Sequence, residues 1–161
     1  MENSLRLRFH SLGSRSQRYL SGLVKNYEII EHTADIGIRV KGASLDRIFK
    51  NAALALFDMM ADKHTSARSR RRVIRIKQTA DTLEELFINW LNELISLSQT
   101  KEVIFTDFKI NALDARTIEA RGIAGDIADY YVHTEVKAAT YHQLMLTKNR
   151  NGWQAEVIFD V

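Results

Sequence analysis

Cysteine and proline are both missing from this chain of 161 residues. The lack of cysteine excludes disulfides, thiolate metal sites and a cysteine nucleophile. It does not fix the compartment, because cysteine-free chains occur in any location. No apolar run approaches the roughly 20 residues that span a bilayer, and no compact apolar stretch marks a secretory signal. Internal repeats and low-complexity tracts are absent beyond the first two dozen residues. Paired motifs of the kind that build a dense metallohydrolase site are absent too. A basic domain is also lacking, although the net charge is +3 and the pI about 9.2. Residues 1–26 hold Arg6, Arg8, Arg15, Arg18 and Lys25 against Glu2, a surplus of +4, so the rest of the chain carries −1. The pI reports a basic leader, and the remainder is close to neutral.

What remains describes an ordinary globular chain, 45% hydrophobic and 27% charged, long enough for one domain with a real core. Residues 1–24, rich in Ser and Arg and poor in acids, read as a disordered or transit-like leader, or an upstream start or expression artefact. The domain is expected over 25–161, in the cytoplasm.

Strands are expected at 27–31 and 36–41, around a turn of His32, Thr33, Ala34 and Asp35. Ser44 caps a helix with a stripe of Leu45, Ile48, Phe49, Ala52, Ala53, Leu56 and Met60. Asp81 and Glu84 resemble a capping box for a second helix, whose stripe is Leu83, Leu86, Phe87, Trp90, Leu91, Leu94 and Ile95. Between the helices lie an arginine cluster at 68–72 and a strand near 73–77. Four further strands are expected near 103–112, 116–124, 134–147 and 153–160. Asn151-Gly152 signals a type I′ hairpin between the last two. The fold class is α+β: two amphipathic helices packed on one face of a mainly antiparallel or mixed β-sheet.

Chemistry concentrates in three places. Asp160 lies beside the final residue, Val161, and Asp160, the Val161 α-carboxylate and Asp35 could form an oxygen-only site for a divalent ion. The alternative is solvated surface. The 31–37 turn is more polar than a turn needs, although Asp and Thr there can serve the backbone and His32 can be structural. In Glu135–His142, strand alternation puts Glu135, Lys137, Ala139 and Tyr141 on one face and Thr140 and His142 on the other. Lys137 can reach a phosphate or carboxylate, or lie as a surface lysine. The arginine cluster could meet RNA phosphates or an acidic protein, or be a solvated loop.

Taken in order, several motifs resemble the archease family. They are His32–Ile38, Ser44-Leu45 with Phe49 and Asn51-Ala52-Ala53, Trp90–Leu94, Gly125 with Asp129 and His133, Glu135–His142, and terminal Asp160-Val161. The likeness covers about Tyr27 to Val161 and departs at Asp126, where the family's pattern has Glu. It implies an accessory protein rather than an enzyme. The expected partner is the RtcB-type RNA ligase, which joins 2′,3′-cyclic phosphate or 3′-phosphate RNA ends to 5′-hydroxyl ends in tRNA splicing and RNA repair. Archease promotes the GTP-dependent guanylylation of a ligase histidine and supports multiple turnover. The resemblance maps the metal site, for Ca²⁺, or Mg²⁺ or Mn²⁺, onto Asp35, Asp160 and Val161. His32, Lys137 and His142 become partner contacts or outer support. tRNA or broken RNA is met indirectly, through the ligase, and no membrane is involved. Two other readings stay open: a chaperone-like modulator of a tRNA methyltransferase, and a small metal-dependent phosphoesterase using Asp35 and Asp160 with His32 as acid or base.

Overall fold

The computed structural model describes residues 26–31, 34–64 and 70–161. The leader, His32 and Thr33, and Arg68 and Ser69 of the arginine cluster lie outside the described residues. In chain order the elements are β1 (Tyr27–Glu31), β2 (Ile36–Gly42), α1 (Leu45–Met60), β3 (Ala61–Lys63), β4 (Arg72–Thr79), α2 (Leu83–Lys101), β5 (Val103–Leu113), β6 (Thr117–Asp126), β7 (Tyr130–Val132), β8 (Ala138–Asn149) and β9 (Gly152–Asp160). A 3₁₀ turn, Ile127–Asp129, precedes β7.

The α+β class holds, and every strand pair among the described residues is antiparallel. The strands divide into three sheets, where the pattern pointed to one: β1-β2-β9-β8, β4-β6-β5 and the small pair β3-β7. The helices accordingly do not cover a single face. Helix α1 touches β1, β2 and β9 of the four-stranded sheet and also β5 of the three-stranded one. Helix α2 touches β8 on one side of this division and β4, β5 and β6 on the other. Burial between two sheets explains why α1 hides Ala55, Phe57 and Met59 in addition to its expected stripe.

Ser44 caps α1 as its type predicts, its Oγ accepting from the Arg47 N–H at 3.3 Å. The cap of α2 is Thr82, one residue later than the Asp81 expectation, with Oγ1 accepting from the Glu85 N–H at 3.2 Å. Glu85 in turn accepts from the Asp81 N–H at 3.0 Å. Glu85 therefore reaches one residue past the cap, so the capping interaction runs through Thr82, Glu85 and Asp81 and not through the expected Asp81–Glu84 pair.

The helices meet through Trp90, whose buried Nε1 donates to the Phe49 carbonyl at 3.1 Å. Under the three-stranded sheet, Phe105 packs on Gly122, where a Cβ would sit 2.3 Å from its ring. The final hairpin is where Asn151-Gly152 placed it, but its turn is not type I′. That turn needs positive φ at Arg150 and Asn151, yet only Gly152 has it, at +119°. Asn149 decides the geometry: its side-chain oxygen accepts from the Asn151 N–H at 2.8 Å.

Candidate functional site

Register brings the predicted groups to one end of the four-stranded sheet. Ile36, the first residue of β2, lies opposite both Glu31 and Phe159. Asp35 precedes it and so stands beside Asp160, the last residue of β9. On the other side of β9, Ala138 pairs with Asp160 at the start of β8. Lys137 is just outside the strand, its N–H donating to the Asp160 carbonyl at 2.8 Å. Its ammonium reaches the Val161 main-chain oxygen at 3.4 Å.

Asp35 is half-buried and Asp160 exposed, and neither carboxylate has a hydrogen bond or ion pair to a described residue. Elsewhere the sheet pairs its charges, with Arg39 held 3.2 Å from Glu28 and 3.1 Å from Glu156. The ends of β2 and β9 thus carry two carboxylates with no cation from the described residues on either, and one lysine against the Val161 main-chain oxygen.

These donors fit a hard divalent cation, which takes carboxylate and carbonyl oxygens and completes its shell with water or phosphate. Among the described residues, no three His, Cys, Asp or Glu side chains form a metal-binding group. Among the described residues, the carboxylates of Asp35 and Asp160 and the main-chain oxygen of Val161 are the candidate donors at this end. The Lys137 ammonium already lies against that third oxygen and would have to yield it to a metal.

The segment that carries Lys137 is held by helix α2. Asn92 donates to the Ala139 carbonyl at 3.2 Å and accepts from the Ala139 N–H at 2.8 Å. Gln99 donates to the Val136 carbonyl at 3.3 Å, and Val136 itself is fully buried. Neither residue was singled out as a site residue. The signal was a carboxamide, Asn92, beside the apolar stripe of an amphipathic helix.

Two other expected residues lie apart. His32 is outside the described residues. His142 stands in a bulge, since the β8–β9 register breaks between Thr140 and Met145 and Gln143 takes φ +52°. His142 is exposed there, with no described hydrogen-bond or ion partner. The bulge also interrupts the alternation expected over Glu135–His142, which holds for Ala138–Thr140 and resumes beyond it with Leu144 and Leu146 packed against the core. Ile158, on the same face of β9 as Asp160, is nevertheless buried at 4% exposure.

The remaining motif residues serve the frame. Asp126 caps the 3₁₀ turn by accepting from the Ala128 N–H at 3.0 Å, a task that suits Asp. The Asp129 carbonyl accepts from the His64 N–H at 3.0 Å, and the His133 and Thr134 N–H groups both donate to the Met60 carbonyl. His133 also lies 3.7 Å from Asp62. No helix among the described residues is long and apolar enough to cross a membrane.

Fold and site together define a small α+β protein that gathers polar groups at the ends of facing strands. Residues 27–161 match the model of the Archease protein family (MTH1598/TM1083). The archease of Methanosarcina barkeri is 34% identical over 148 residues, covering 88% of this chain and all of that protein. That of Methanosarcina mazei is 37% identical over 145 residues, covering 85% and 97%. The chain belongs to the archease family. In structure it is similar to Methanobacterium thermoautotrophicum protein 1598, with a TM-score of 0.61 and 28% identity over 86% of this chain and all of that one. The Thermotoga maritima archease, described as a possible chaperone, shares the fold at a TM-score of 0.59, with 24% identity over 83% and 96% of the two chains.

Proposed function

We propose that this archease activates an RtcB-type RNA ligase, promoting its GTP-dependent guanylylation and its repeated turnover. The observation that carries the reading is the convergence of Asp35, Asp160, Val161 and Lys137 at one end of the sheet. In this reading Asp35, Asp160 and the Val161 carboxylate hold a divalent ion, Ca²⁺ or else Mg²⁺ or Mn²⁺. Such an ion would supply positive charge beside the phosphates of the ligase's nucleotide. Lys137 is suited to a second role at the same place. Its compact ammonium can leave the Val161 oxygen for a phosphate or carboxylate of the partner. Asn92 and Gln99 hold the backbone from which it reaches, so its position costs little reorganisation on docking.

The test is an RNA-joining assay with catalytic amounts of ligase and excess RNA ends, with and without this protein. Stimulation of turnover, lost in Asp160→Asn, is the expected result. Equal stimulation by a folded Asp160→Asn protein would remove the carboxylates from the mechanism. No stimulation by the wild type would remove the ligase.

A further inference from the structure

The outward face of the three-stranded sheet carries a row of cations. Arg75 of β4 lies opposite Arg121 of β6, and Arg121 lies opposite Lys109 of β5. All three are exposed, while their strand neighbours Ile74, Ile76, Ala120 and Phe108 are buried on the other face. None of the three makes a hydrogen bond or ion pair to a described residue. Like charges directly opposite one another in a sheet are destabilising.

The nearby acids do not relieve this row, because lysines outside it already take them. Glu119 is 2.9 Å from Lys77, in the next row along. Asp107, in the row on the other side, is 2.8 Å from Lys50 of α1. Arg70 and Arg71, both exposed, stand at the start of β4. Since residues 27–161 are close to neutral overall, the row is a local concentration of charge.

Beside Arg75 and Arg121 lies an open groove of about 380 Å³, lined also by Ile76, Lys77, Asn111, Glu119 and Ala120, with Lys109 outside it. The row crosses three strands and so spans about 10 Å. The aromatic rings of β5, Phe105 and Phe108, are buried, so the row offers no ring for base stacking and no aromatic anchor of the kind that fastens protein interfaces. Exposed guanidinium and ammonium groups without such anchors match phosphate oxygens.

We propose that the outer face of β4-β6-β5 binds the phosphate backbone of RNA through Arg75, Lys109 and Arg121. The contact is direct and independent of base sequence. It goes beyond the indirect RNA contact expected from the sequence. The choice of RNA as the polyanion rests on the ligase reading above.

The test uses the protein alone, in chelator and without ligase, so that its failure is separable from failure of that reading. Fluorescence anisotropy of a labelled unstructured RNA is measured across a salt series for the wild type and for the triple variant Arg75→Gln, Lys109→Gln, Arg121→Gln. The variant is expected to bind at least about tenfold more weakly at low salt. Its slope of log affinity on log salt should flatten by about 2, from three lost contacts at about 0.7 each. Its melting temperature should equal or exceed the wild type's, because repulsion is removed. Two RNAs of unrelated sequence should bind alike. Unchanged RNA binding in the variant, a lowered melting temperature, or a preference above tenfold between the RNAs would each overturn the proposal. So would equal binding of a polyglutamate of matched charge, which would make the partner an acidic protein.

Discussion

The two larger sheets of this protein treat charge in opposite ways. At the end of β2 and β9 the four-stranded sheet leaves Asp35 and Asp160 without a cation among the described residues. On its outer face the three-stranded sheet leaves Arg75, Lys109 and Arg121 without an acid among the described residues. Both sheets pair charges elsewhere, through Arg39 with Glu28 and Glu156 and through Lys77 with Glu119. The same chain could have crossed its surplus charges and did not. Paired surface ions contribute little to stability, while unpaired like charges contribute repulsion. The unpaired sets are therefore poor candidates for holding the fold together. They are better candidates for binding something of opposite sign, a cation at one sheet and a polyanion at the other.

The largest effects should come from the acidic end. Replacing Asp35 or Asp160 by Asn is expected to cost about 1–3 kcal/mol of divalent-ion binding each, or one to two decades of affinity by calorimetry. Lys137→Met sharpens the contrast, because it removes the ammonium that lies against the Val161 oxygen. It should leave ion affinity equal or higher while abolishing ligase stimulation. Weaker ion binding in Lys137→Met would mean that the lysine supports the site instead of competing for it.

A middle-sized effect is expected behind the site. Asn92→Ala removes both hydrogen bonds to Ala139 and leaves a part-buried N–H unpaired, at about 1–3 kcal/mol. Thermal melting should fall by about 2–4 °C per kcal/mol for a chain of this size. The exposed Gln99 makes one longer bond, and Gln99→Ala should cost less than half as much.

The smallest effect concerns a paired charge. Burial pushes the Asp107 carboxyl up, but the bond from Lys50, with help from the Phe108 backbone, outweighs it and leaves the pKa below the ordinary 3.8. A depressed carboxyl contributes stability above its unfolded pKa and loses it as pH falls through the folded value. Lys50→Met should therefore cost under about 1 kcal/mol near neutrality and flatten the acid limb of the stability curve below about pH 4. Chemical denaturation at pH 7 and pH 3 measures both.

Much of this was legible in the chain. The Ser44 cap, both helical stripes and the hairpin before Trp153 all follow from local pattern, and the gathering of Asp35 with Asp160 follows from motifs at strand ends. What failed were features set by neighbours. The strands β3 and β7 have three residues each, too few for alternation to declare itself. The bulge at Gln143 inverted a face that period two had fixed. Asn92 looked like one polar residue among many on α2, and its role depends on which strand lies alongside. The basic row was least visible of all. Arg75, Lys109 and Arg121 are far apart in sequence, and only cross-strand register makes them neighbours.

The central claim is that unpaired carboxylates at the strand ends serve the ligase through a bound ion. The most direct measurement is guanylylation of the ligase by labelled GTP, at limiting divalent ion, with wild-type archease or Asp35→Asn. The wild type should raise the guanylylated fraction, and Asp35→Asn should do so only when ion is raised by about one to two decades. Equal stimulation by the two proteins at limiting ion would contradict the claim.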